Sequence, residues 1–236
     1  TPIIKAIKAN IGDGRIFGNL GGEVATYYQI PILSGYDSLY IGRYGEFVRA
    51  QGRSTASVPP KDPMSDRVLD LTGVSLIYHP IADTNTTWAY PVWEKKDRYE
   101  IVYQDDKFLL FHNKKSLPRA SLFYNYQIIS ESKKILETFY KSDFDFRNTL
   151  ILEKDLGIKL EKGVGEAKII VYTPDYIKIQ AKSDKPALLF LADNFYPSWE
   201  ATVNGKRAEI FRADYTFRAV LIPKGESIIK FNMRWF

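Results

Sequence analysis

The sequence predicts an α+β fold: a mixed N-terminal α/β part over residues 1–156, then a C-terminal antiparallel β-sandwich over residues 157–236. Three observations carry this reading. Up to about residue 156, helical spacing of apolar residues alternates with strand patterning; beyond it nearly every segment alternates with period two. Between the two regimes lies Gly157 to Gly165, a stretch with glycine at 157, 163 and 165, where we place the domain boundary. The last part packs short strands at close spacing, as a small sandwich requires.

Taken in order, Pro2 to Asn10 reads as a short helix, followed by a strand around Arg15 to Phe17. Asp37 to Gln51 reads as helical, because Leu39, Arg43, Phe47 and Ala50 fall at helical spacing. Asp37 or Ser38 caps its start and Gly52 stops it. Arg53 to Pro63, rich in Ser, Pro and Lys, reads as a surface loop. Ser65 caps a short helix reaching Leu71, which feeds a strand from Val74 to Tyr78. Tyr99 to Tyr103 and Phe108 to His112 flank Gln104-Asp105-Asp106-Lys107, a hairpin signal. Leu122 to Ile129 reads as one strand, and Glu131 to Tyr140 as an amphipathic helix with Ile135, Leu136 and Phe139 on one face.

The remaining strands are Ala167 to Tyr172, Tyr176 to Ala181, Ala187 to Ala192, Trp199 to Val203, Ala208 to Phe211, Phe217 to Leu221 and Ile228 to Trp235. Asn204-Gly205 is a two-residue hairpin turn, since both positions tolerate positive φ. The last strand sets Ile229, Phe231, Met233 and Trp235 on one face and Lys230, Asn232 and Arg234 on the other.

Composition narrows the function classes. A hydrophobic fraction of 45% with 26% charged residues is that of a globular chain. No charge-free stretch approaches the ~18 apolar residues of a membrane helix. The start, Thr1-Pro2-Ile3-Ile4-Lys5, lacks a signal-peptide pattern and reads as a piece excised from a longer chain. The absence of cysteine removes disulfides, thiolate metal sites and cysteine nucleophiles together. His79 and His112 are too few for a zinc site or a Ser-His-Asp triad, so neither a metal nor a cofactor is expected. The net charge of +5 comes from scattered Lys and Arg with acids between them, not from a basic stripe, so no nucleic-acid partner is expected. Aromatics are abundant, with 16 Tyr, 14 Phe and 4 Trp. Such a load suits domains that stack on sugars or lie near membranes.

The motifs split into bland and informative. Gly12-Asp13-Gly14…Gly18 has the wrong spacing for a dinucleotide loop and reads as a turn. Asp143 and Asp145 read as caps, with Phe144 and Phe146 entering the core. Asn85-Thr86-Thr87 is a glycosylation sequon, relevant only in a eukaryotic secretory pathway. Less generic are Gly35-Tyr36-Asp37-Ser38-Leu39-Tyr40-Ile41-Gly42-Arg43-Tyr44, then Asn113-Lys114-Lys115-Ser116-Leu117-Pro118-Arg119-Ala120, then Asp193-Asn194-Phe195-Tyr196-Pro197-Ser198-Trp199 continuing to Lys206.

Together with Tyr215-Thr216-Phe217-Arg218-Ala219-Val220 and Ile222-Pro223-Lys224-Gly225-Glu226, these segments resemble, in order and spacing, the C-terminal extracytoplasmic region of bacterial YfhO-type membrane proteins. The resemblance runs from about Arg15 to Phe231, with Ser198 standing where the pattern has glycine. Members of that family resemble polytopic GT-C glycosyltransferases that use polyprenyl-phosphate sugars. The resemblance implies a soluble head on the extracytoplasmic face of a bacterial cell membrane, partnered with the transmembrane region of its own chain and with an envelope glycan or lipid-linked sugar. The catalytic carboxylate of such enzymes typically sits on a loop near the start of the membrane region, so no catalytic residue transfers to this chain.

The expected function is therefore accessory: acceptor or envelope-glycan recognition, inactive alone. The alternatives are a stand-alone carbohydrate-binding or adhesion module and a soluble hydrolase using two converging carboxylates. For glycan contact the residues expected are Tyr36, Asp37, Tyr40 and Arg43 at the tyrosine-rich helix start, and Asn194, Tyr196 and Trp199 around the proline-stiffened loop. Burial of Tyr36 and Tyr40 against a sheet, with Arg43 in an internal ion pair, is the competing account of the first group.

Overall fold

A computed structural model describes residues 1–33, 41–48, 65–83 and 95–234. Within them the fold is α+β, rich in antiparallel and mixed sheet, with a sandwich-like C-terminal part. The chain forms two compact units, Thr1–Pro118 and Arg119–Phe236.

The first unit holds α1 (Pro2–Asn10), β1 (Arg15–Gly18), α2 (Gly22–Tyr28), α3 (Gly42–Val48), α4 (Ser65–Leu71), β2 (Val74–Pro80), β3 (Tyr99–Gln104) and β4 (Phe108–Asn113). Its sheet runs β1-β2-β4-β3, with β1 parallel to β2 and the other pairs antiparallel. The 3-4 spacing of Ile3, Ile4 and Ile7 gives α1 an apolar stripe, buried with Ile16, Leu76, Tyr78 and Leu110 of the sheet. The hairpin over Gln104–Lys107 forms as the sequence predicts. Asp105 closes it by accepting the N–H groups of Lys107 and Phe108, both at 2.8 Å. Of the helix expected over Asp37–Gln51, Gly42–Val48 is seen as α3; residues 34–40 and 49–64 lie outside the described residues, as does the sequon at Asn85.

The second unit holds β5 (Ala120–Phe123), β6 (Tyr126–Ile128), α5 (Ser132–Phe139), β7 (Leu150–Leu152), β8 (Gly165–Tyr172), β9 (Tyr176–Ser183), β10 (Ala187–Asn194), β11 (Trp199–Val203), β12 (Lys206–Ala208), β13 (Phe211–Ala213), β14 (Phe217–Ile222) and β15 (Gly225–Met233). They make a six-stranded sheet, β5-β10-β14-β13-β7-β6, and a five-stranded sheet, β12-β11-β15-β9-β8. Leu189, Leu191, Val220 and Ile222 of the first meet Ile177, Ile179, Ile229 and Phe231 of the second in one core. At about 25 cal/mol per Å2, each such side chain contributes roughly 1.5–3 kcal/mol of burial. β10 is buried along Ala187–Asp193, so both its faces are covered. On its second face Phe190 packs edge-on against Phe123 and Phe217, with ring centroids 5.6 Å from each.

Three differences from the sequence reading have simple causes. Leu122 to Ile129 is two strands, because β5 and β6 sit at opposite edges of the six-stranded sheet. Only Tyr124 and Asn125 link them, and that length of chain spans at most about 11 Å. The sheet must therefore curl until its edges approach. Ala208 to Phe211 is likewise divided: Lys206–Ala208 belongs to the five-stranded sheet and Phe211–Ala213 to the six-stranded one, so Glu209 and Ile210 form a corner between sheets. Gly157 to Gly165 runs inside the second unit. A Cβ at Gly163 would strike the Tyr124 ring, and one at Gly165 would strike the Lys182 carbonyl, so two of these glycines serve close packing.

Candidate functional site

β10 ends irregularly. Leu191 opposes Arg218 on β14, but the next β14 residue, Phe217, opposes Asn194. Ala192 and Asp193 are thus extra, and the bulge re-aims the Asp193 carboxylate. Arg119, just before β5, donates to Asp193 Oδ1 at 2.9 Å, and Arg218 donates to Oδ2 at 3.3 Å. All three side chains are buried. Each guanidinium also lies over rings of the opposite sheet: Arg119 over Tyr172 at 4.1 Å, Arg218 over Trp199 at 4.0 Å and Phe231 at 5.1 Å. Burial opposes charge on Arg119, but Asp193 and Tyr172 outweigh it and hold its pKa above the ordinary arginine value.

The loop after β10 rests on this base. The Thr216 hydroxyl donates to Asn194 Oδ1 at 3.0 Å, and Phe195 N–H donates to the Thr216 carbonyl at 2.6 Å. Arg212 lies over the Phe195 ring at 4.5 Å. Trp199 N–H donates to the Tyr196 carbonyl at 3.1 Å, turning the chain into β11. At the rim of this base Tyr172, 46% exposed, and a half-buried Trp199 lie on strands separated by β9 and β15, and Tyr196 in the loop is 46% exposed. Such rings can cover the apolar face of a sugar while Asn194 and the Tyr196 hydroxyl meet its polar edge.

The structure therefore brings together Asn194, Tyr196 and Trp199 from the expected set. Arg43 is half-buried on α3 in the first unit. Tyr36, Asp37 and Tyr40 lie outside the described residues. Sequence reasoning left Arg119, Tyr172, Asp193 and Arg218 out of the site. The signals were a charge directly ending the apolar run Leu188-Leu189-Phe190-Leu191-Ala192-Asp193 and one inside Phe217-Arg218-Ala219-Val220. A charge so placed must find a partner across the core.

Two further polar clusters involve other residues. On α4, Asp70 accepts from Arg98 at 2.6 Å and from Asn113 at 3.0 Å, while Asp66 takes Lys95 at 2.8 Å. This ties α4 to the β3–β4 hairpin. Asp145 accepts from the Asn148 side chain at 2.8 Å and from Arg147 N–H at 3.2 Å, closing a local turn, not capping a helix or strand end as expected. Phe146 is buried, and both it and Phe144 lie against Phe139. Among the described residues no group of three or more His, Asp or Glu could hold a metal ion, and no helix is long and apolar enough to cross a membrane.

No protein-family model, no curated protein and no solved structure matches this chain.

Proposed function

We propose that this chain is an accessory, glycan-recognising domain on the extracytoplasmic face of a bacterial membrane, belonging to a larger GT-C-like glycosyltransferase and not catalytic alone. The observation that supports the reading is that Tyr172 and Trp199 each rest on a guanidinium of the buried Arg119–Asp193–Arg218 base, with exposed Tyr196 in the loop before Trp199. Exposed aromatic rings offer apolar area that the face of a sugar can cover. Here the ion cluster fixes one face of Tyr172 and of Trp199, so little ordering remains to be done on binding. The order of motifs that resembles YfhO-type proteins supports the parent; the rim supports the ligand class. The same rim would serve a stand-alone carbohydrate-binding module, which differs in having no membrane helices in its full-length reading frame.

The test is titration calorimetry of the chain with envelope polysaccharide fragments and polyprenyl-phosphate sugars. Tyr196→Ala is expected to weaken glycan binding by about 1 kcal/mol, roughly fivefold, with an unchanged melting temperature. Absence of binding by the unsubstituted chain to every glycan class overturns the reading.

A further inference from the structure

The five-stranded sheet ends on β8. Among the described residues β8 forms a ladder with β9 alone, so its other side is an edge without a ladder, and β5 of the six-stranded sheet packs close to it. The regular part of that edge is Gly165–Ile169, because the register breaks between Ile169 and Val171. Val164, just before it, is turned toward β9: its carbonyl accepts from Asp184 N–H at 3.1 Å and its N–H donates to Asp184 Oδ1 at 2.7 Å. Alternation along the strand then turns the backbone groups of Gly165, Ala167 and Ile169 to the open side. Ala167 and Ile169 pack their side chains on the sandwich core, while Glu166 and Lys168 are exposed on the outer face.

We propose that β8 is a self-association strand: two copies pair antiparallel about a two-fold axis through Ala167, joining two five-stranded sheets into one. Ala167 is the midpoint of Gly165–Ile169, so the axis uses the whole regular edge. In this register Ala167 faces Ala167 of the partner subunit, and Gly165 faces Ile169 of the partner subunit. Glu166 faces Lys168 of the partner subunit, and the symmetry repeats that pair. Both charge pairs occupy non-hydrogen-bonded positions, where opposed side chains lie closest. The alternatives are disfavoured by the sequence itself. Moving the axis to Glu166 or Lys168 sets like charges against each other, and an odd register opposes inward to outward side chains. The proposed register also brings exposed Val164 (72%) beside exposed Ile170 (45%) of the partner subunit. An open edge with such residues invites indefinite pairing, whereas an isologous contact closes after two copies.

The chain contains no cysteine, so a single introduced thiol reports the geometry. In Ala167→Cys the opposed Cα atoms would stand about 5.5 Å apart, within disulfide reach. Mild oxidation of that variant is expected to give a covalent dimer, and Thr202→Cys on β11 is expected to stay monomeric. Sedimentation of the full 236-residue chain, up to about 1 mM, is expected to show a monomer–dimer equilibrium. Lys168→Glu and Glu166→Lys should each weaken it by about tenfold, and the double swap should restore it to within about threefold. Glu166 and Lys168 are exposed, while Ala167 and Thr202 are half-buried, so melting temperature checks that each variant folds. A chain monomeric throughout with no cross-link at 167, or a double swap as weak as the singles, overturns the proposal.

Discussion

Asp214 shows how a single residue can set the pH response of the second unit. It is fully buried in the turn between β13 and β14; its Oδ1 accepts Ile151 N–H at 2.8 Å, and among the described residues Oδ2 has no partner. Its φ of 41° is one that Asp and Asn tolerate better than most residues. Burial pushes its pKa from 3.8 up to about 7, with the Ile151 hydrogen bond opposing. A carboxyl raised in the folded state favours folding most below pH 3.8, where both states are protonated, and stability falls as pH rises to about 7. Asp214→Asn keeps the acceptor and removes the titration. It should therefore melt close to the parent at pH 4 and well above it at pH 8, by on the order of 4 kcal/mol in unfolding free energy. Urea denaturation at both pH values measures this. Equal differences at the two pH values would show that Asp214 is not the titrating group.

At the scale of elements, the glycine pattern of β1 separates a ligand loop from a packing requirement. Gly18 has φ 133°, and a Cβ there would run into the Tyr78 carbonyl on β2, its register partner. Gly12 has φ 54° but open space around it. Gly18→Ala is expected to cost roughly 2–5 kcal/mol by forcing β1 away from β2, and Gly12→Ala about 1 kcal/mol from its backbone alone. Thermal unfolding of both variants measures the contrast, and equal costs would count against the close-approach account. The same reasoning explains what the sequence made legible. Elements with clear periodicity were readable: α1 and β11 match their predicted spans, and α4, β3, β4, β9 and β15 appear within a few residues of theirs. So was the turn at Asn204-Gly205, whose φ values of 53° and 78° fit those residue types. What stayed hidden depends on partners distant in sequence. The break at Tyr124-Asn125 follows from a curled sheet, the corner at Glu209-Ile210 from strands switching sheets, and the buried ion cluster from a bulge that turns Asp193 toward Arg119 and Arg218.

At the scale of the whole molecule, the two compact units share no sheet among the described residues. Each has its own apolar core: Ile7, Ile16, Leu76 and Leu110 in the first, Leu189, Leu191, Ile229 and Phe231 in the second. The size of the second unit is ordinary for an independent domain. Both the aromatic rim and the open β8 edge lie wholly within it. A fragment starting at Leu117, two residues before Arg119, should therefore fold alone with one cooperative transition and keep the glycan affinity and self-pairing of the full chain. A fragment starting at Gly157 loses β5, β6 and β7, three strands of the six-stranded sheet, together with α5. It would expose Leu188 and Phe190, otherwise fully buried, and would also lack Arg119, leaving Asp193 with half of its pair of guanidiniums. That fragment is expected to aggregate or remain unfolded. Circular dichroism melts of the two fragments decide the matter: a folded fragment from Gly157, or an unfolded one from Leu117, would place the independent folding unit elsewhere.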